Sequence, residues 1–261
     1  MAAGAAPVIS FTEAQLSAWY GAVFWPLVRL LALLSVAPVL SHRAAPLRLK
    51  VALALAIALL LAPTVPAPPI GHALTGPGLA LLAQNIAIGA IIGFTVRLVF
   101  SALELAGEVI GLQIGLSFAA FFNPAAGATQ TAVSSFLSLL GTLMFLAIDG
   151  HLMLLYAVTE SFRLFPLTGG AELPLSFDRV ARLGAEVFAV GLTIALPFVA
   201  VAMLVNVVVG VAARVAPQLN IFAVGFPLTT LVGLGMLFLM LPYLESPLRA
   251  ALERALTLWT Q

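Results

Sequence analysis

The apolar runs of this chain are too long for a water-soluble fold to hide, and that limits everything else it can become. Gly184–Arg214 is about 30 residues of apolar sequence, longer than the roughly 20 that an untilted membrane helix requires. Similar runs recur along the chain, and only 8% of its 261 residues are charged. Soluble domains carry about 25%. A chain so poor in charge cannot cover itself with a hydrated surface, so it belongs in a membrane or inside an apolar assembly. The net charge of +1 excludes the strong basic field of a nucleic-acid binder. With no cysteine there is no disulfide, thiolate zinc site or cysteine nucleophile. The one lysine, Lys50, follows no glycine-rich phosphate loop, which excludes a P-loop NTPase.

Helical expectations follow from the runs. Apolar helices are expected at about 17–37, 47–62, 79–122, 131–160, 184–214 and 228–244, with an amphipathic tail helix at 247–260. The fold class is all-α, a membrane-class chain of five to seven apolar helices arranged as hairpins in one domain. Several are not simple spans: Val51–Ala62 is about 12 residues before Pro63, well short of a membrane crossing. Residues 1–16 lack the basic start of a signal peptide, so the first segment is expected to be retained. The basic loop at 38–50 is expected to be cytoplasmic and the Pro/Gly-rich loop at 63–78 on the far side. Ser246-Pro247 reads as the start of the tail, whose stripe Leu248, Leu252, Leu256 and Trp259 suits a membrane surface or a partner.

Polar residues inside the runs are the candidates for function. Arg29 is an expensive cation well within the first segment, expected to snorkel or to pair with a helix. Asn206 reads as interhelical glue. Asp149 and His151 lack a third ligand, a nucleophile or an HExxH pattern, so a membrane-boundary turn is favoured over catalysis. His72 reads as a solvated loop residue. On one long helix Arg97, Ser101, Glu104 and Glu108 share a face. That face overlaps a stripe of Gly107, Gly111 and Gly115, where another backbone can approach closely. Arg97, Glu104, Gly107, Glu108 and Gly111 are therefore expected to pack or assemble helices, either against a partner helix or as a network within the subunit. After the glycines come Phe118, Phe121 and Phe122, then an Asn123-Pro124 break that ends helix, and small residues to Gln130. A different class of function is a small-solute secondary transporter using Arg97, Glu104, Glu108 and Asn206.

Three stretches resemble a known family. GEVIGLQIGLSFAAFFNPAAG (Gly107–Gly127), DGHLMLLYAVTESFRLFP (Asp149–Pro166) and LPFVAVAMLVNVVVGVAARVAPQLNIFAVGFPL (Leu196–Leu228) are similar to segments of the FliR/SctT family of type III export-gate subunits. The third is the most specific, through Arg214, Pro217, Gln218, Asn220, Phe222, Gly225 and Pro227. The resemblance implies a non-enzymatic subunit, without metal or cofactor, of a bacterial inner-membrane gate, most simply the flagellar one. It implies co-assembly with FliP- and FliQ-like subunits, association with FlhB- and FlhA-like proteins, contact with membrane lipid, and passage of unfolded polypeptides. It also implies that helices sit partly out of the membrane plane. The plug of the closed pore maps to about Gly115–Gln130, with Gly115, Phe118, Phe121, Phe122, Asn123, Pro124 and Gly127. Asn123 stands where many relatives carry aspartate, and no fused FlhB-like domain is expected after the tail helix.

Overall fold

The computed structural model describes residues 12–39, 41, 46–66, 68, 73–116, 131–167, 177–216, 221–257 and 259, without the side chains of 177–181 and 221–223. Among the described residues there is no strand. The helices are α1 (Glu13–Val36), α2 (Leu47–Leu61), α3 (Gly76–Gln113), α4 (Ala132–Ala147), α5 (Gly150–Leu164), α6 (Phe177–Val215), α7 (Ile221–Met240) and α8 (Glu245–Thr257). A 3-10 turn at Leu241–Tyr243 joins the last two. The all-α, membrane-class expectation holds. Among the described residues four helices are long and apolar enough to cross a membrane, or five if α4 and α5, bent by 68° at their junction, act as one.

Several ends differ from expectation, each for a local reason. α1 begins at Glu13 rather than about residue 17, because Thr12 and Gln15 form a capping box. The Thr12 amide donates to Gln15 Oε1 at 3.1 Å and the Gln15 amide to Thr12 Oγ1 at 3.3 Å. α3 stops at Gln113 instead of 122, and Gly115 follows at φ 82°, a left-handed conformation that glycine adopts without steric cost. The expected 131–160 helix is two: Asp149, at φ 58°, breaks it, and its carbonyl accepts the amides of Leu152 and Met153 to start α5. α6 runs unbroken from Phe177, through Pro197. α7 starts at Ile221 rather than about residue 228, so Phe222, Gly225 and Pro227 stand in a helix. α8 begins at Glu245, ahead of Ser246-Pro247.

The chain falls into two compact units. In the first, Met1–Phe94 with Leu155–Pro174 and Trp259–Gln261, α1 and α2 form a hairpin with Ala54 and Ala58 of α2 buried. Small residues four apart allow that close packing. Gly89 and Gly93 of α3 do the same against α1, where a Cβ would strike the carbonyls of Arg29 and Leu33.

The second unit, Thr95–Leu154 with Leu175–Leu258, pairs α6 with α7 and seats α8 on α4, α6 and the 3-10 turn. Leu248, Ala251, Leu252, Ala255 and Leu256 are buried there. The apolar stripe of the tail thus covers the chain's own helices, which corrects the expectation that it lies on a membrane or partner. Arg249 and Glu253 pair at 3.0 Å on its outer side.

Candidate functional site

The most constructed feature of the second unit is the end of α3 and the start of α4, on either side of residues 115–130. Gly107 meets the backbone of Ser134 so closely that a Cβ would collide with its Cα, and a Cβ on Gly111 would lie 2.9 Å from Thr131 Oγ1. The Gly107/Gly111 stripe thus has its close-packed partner within this chain. Hydrogen bonds reinforce the contact. Glu108 Oε1 accepts the Thr131 amide at 2.8 Å, and Ser134 Oγ donates to the Glu104 carbonyl at 3.1 Å. Thr131 Oγ1 accepts the Ser134 amide at 3.1 Å and caps α4. A carboxylate at a helix N-terminus is also favoured by the helix dipole.

The other anchor was not foreseen. Thr230 Oγ1 of α7 donates to the Ile114 carbonyl at 3.0 Å, and the fully buried Ile114 side chain fills the space over Gly233. The residue before Gly115 is therefore fixed on α7, and the residue after Gln130 on α3. Sequence offered little warning, since Ile114 and Thr230 are ordinary in composition and 116 positions apart. Of the expected plug residues, Gly115 is buried at the end of the first anchor. Phe118, Phe121, Phe122, Asn123, Pro124 and Gly127 lie outside the described residues, as do Pro217, Gln218 and Asn220. His72 does too.

The other candidates separate. Arg97 is exposed on α3 and makes no side-chain hydrogen bond or ion pair among the described residues. Arg214 is exposed at the end of α6, and Asn206 is exposed in its last third. Asp149 forms the turn between α4 and α5, and the buried His151 Nδ1 has no hydrogen-bond partner among the described residues. No group of three metal-binding side chains occurs among the described residues. Among the described residues, two cavities of about 10 Å³ hold scarcely one water each, a wider surface cleft of about 380 Å³ lies beside Glu245, Arg249 and Glu253, and none of the three is lined by Arg97, Glu104, Glu108 or Asn206. Nothing here favours a solute site made from those four residues.

In the first unit Arg29 is 1% exposed, and it is paired with helices, not snorkelling. Its Nε donates to Asn85 Oδ1 at 2.9 Å, one terminal nitrogen to Ser161 Oγ at 2.9 Å, and the other to the Phe165 carbonyl at 3.2 Å. The guanidinium lies 3.8 Å over the Phe162 ring, a favourable cation–π placement. This one side chain joins α1, α3 and α5. The SF pair Ser161-Phe162, part of the second motif, supplies two of its contacts.

An all-helical protein of the membrane class, with glycine-packed helices and a segment held between two fixed anchors, is what these features define. A profile of the family described as "Bacterial export proteins, family 1" matches residues 20–255. Flagellar biosynthetic protein FliR of Pectobacterium carotovorum is 41% identical over 237 residues, 90% of each chain. That of Escherichia coli K12 is 38% identical over 235 residues, again 90% of each. A Buchnera aphidicola FliR is 32% identical over 248 residues, covering 94% of this chain and 95% of its own. The chain belongs to this bacterial export family, the FliR family.

Proposed function

We propose that this chain is a structural and gating subunit, not an enzyme, of the flagellar type III export gate in the bacterial inner membrane. In this reading it co-assembles with FliP- and FliQ-like subunits, associates with FlhB- and FlhA-like proteins, and helps pass unfolded polypeptides. Residues Gly115–Gln130 plug the closed pore. Phe118, Phe121 and Phe122 supply an apolar seal that excludes water and ions, while Gly115, Gly127 and the small residues between offer little steric resistance to displacement. The observation that supports this reading best is the pair of anchors. Ile114 is bound to Thr230 and Gly233, and Thr131 to Glu108 and Gly111, so both ends of the segment start from fixed positions.

The test is an ion-leak measurement on assembled gates in cells. Deletion of Ala125–Thr129, or replacement of the three phenylalanines by alanine, is expected to raise passive ion flux while the complex still assembles. A variant that stays tight and secretes fully overturns the plug assignment.

A further inference from the structure

One stripe of α3 in the second unit carries the exposed Arg97 and Leu112 at its ends and the half-buried Ser101, Glu104 and Glu108 between them, at helical spacing. The chain itself satisfies part of it. Glu108 accepts the Thr131 amide, and the Ser101 hydroxyl donates to the Arg97 carbonyl at 3.1 Å. The Arg97 guanidinium and the Glu104 carboxylate have no hydrogen-bond or ion-pair partner among the described residues, and Leu112 on the same stripe is 60% exposed. Seven positions separate the two charges, about 10 Å along the axis, so they do not pair with each other.

We infer that this stripe is a docking seam for a helix of a neighbouring subunit, one that sets a carboxylate against Arg97 and a cation against Glu104 about two turns away. Lipid tails cannot serve here, because an ion left unpaired in hydrocarbon is costly and protein charges in membranes meet opposite charges or water. The exposed Leu112 gives the seam an apolar end, and Ser101 between the charges is small enough to let a second backbone come close. Charge order also selects the partner. A helix with the reversed order sets like charges opposite each other, which is how polar seams reject wrong neighbours. The inference rests on the co-assembly part of the reading above and is independent of the plug.

A photo-cross-linking residue placed at Ser101 of the full chain, in cells making the whole export apparatus, tests it. The expected result is a protein adduct whose mapped helix bears an acidic and a basic residue about seven positions apart. Arg97→Glu should lower the adduct yield about tenfold, Arg97→Lys should preserve it, and exchanging the partner's carboxylate for lysine should restore it in Arg97→Glu. Because Arg97 is exposed and makes no side-chain hydrogen bond or ion pair among the described residues, these variants are expected to accumulate in the membrane like the parent. Absence of any protein adduct, an adduct with a segment lacking that charge pair, or a yield unchanged in Arg97→Glu overturns the seam. If the complex still co-purifies in those cases, co-assembly itself stands.

Discussion

Arg29 shows what a single side chain can settle in a chain with so few charges. Its position marks it in the sequence as an expensive cation, but its partners lie 56 to 136 positions away and no spacing rule reaches them. Replacing it with leucine strands the buried Asn85 carbonyl and the Phe165 carbonyl, each an acceptor left in an apolar setting. Arg29→Leu is therefore expected to destabilise the folded protein on the order of 3 kcal/mol, measured by thermal unfolding in mild detergent. A second change, Asn85→Leu, should return part of that loss by removing a stranded group; a larger loss in the double variant would contradict this account. The glycines were more legible, since a repeat of four marks a face where backbones meet. Gly107→Ala should cost about 1–3 kcal/mol, because the added methyl meets the Ser134 backbone, which has little freedom to retreat. Gly184→Ala, with nothing within 4 Å of the new atom, should be neutral or stabilising by up to about 1 kcal/mol through helix propensity. Equal effects at the two positions would show that propensity, not packing, governs them.

At the level of elements, hydrophobic runs mark where the apolar helices lie, though one run holds both α4 and α5, while their ends follow chemistry that hydropathy does not register. A capping box sets the start of α1, a left-handed Asp149 divides α4 from α5, and α7 runs through Pro227, ahead of its expected start at about residue 228. The tail's spacing predicts its helix but not that the stripe, expected on a membrane or a partner, is buried on the chain's own helices, because an apolar stripe does not say which surface it will cover. The join between α3 and α7 is the clearest case of tertiary information. Ile114→Ala empties the space over Gly233, and a large-to-small change at a fully buried isoleucine costs about 2–5 kcal/mol. Thr230→Val removes one hydrogen bond to a backbone carbonyl and should cost about 1 kcal/mol. Both residues are in contact, so the two losses should not add. Additivity in the double variant, read from the same unfolding measurement, would show that Thr230 and Ile114 act separately and that the anchor is not one device.

Taken whole, the protein departs from a bundle of simple spans in the lengths of its helices. α2 has 15 residues, about 22 Å of helix, and falls short of a hydrocarbon core about 30 Å thick. α3 and α6 have 38 and 39 residues, about 57 and 58 Å, nearly twice that thickness. Composition alone announces a membrane protein and therefore invites span counting, so this mismatch is legible only when run lengths are compared with the bilayer. On α6, Ala185 and Val215 are both exposed and lie 30 positions apart, about 45 Å along the axis. Holding both inside a 30 Å core requires a tilt near 48°, beyond the roughly 40° that membrane helices reach. The chain has no cysteine, so Ala185→Cys and Val215→Cys each give a single reporter without further engineering. With the chain expressed alone in permeabilised membrane vesicles, at least one of the two is expected to react with a membrane-impermeant maleimide. Labelling of both after unfolding in detergent supplies the reference for accessible thiols. If both reporters stay protected in vesicles and react only after unfolding, α6 lies wholly within hydrocarbon and the length argument fails. Reaction at one or both places part of this helix outside the apolar core, where it is available to protein neighbours in place of lipid.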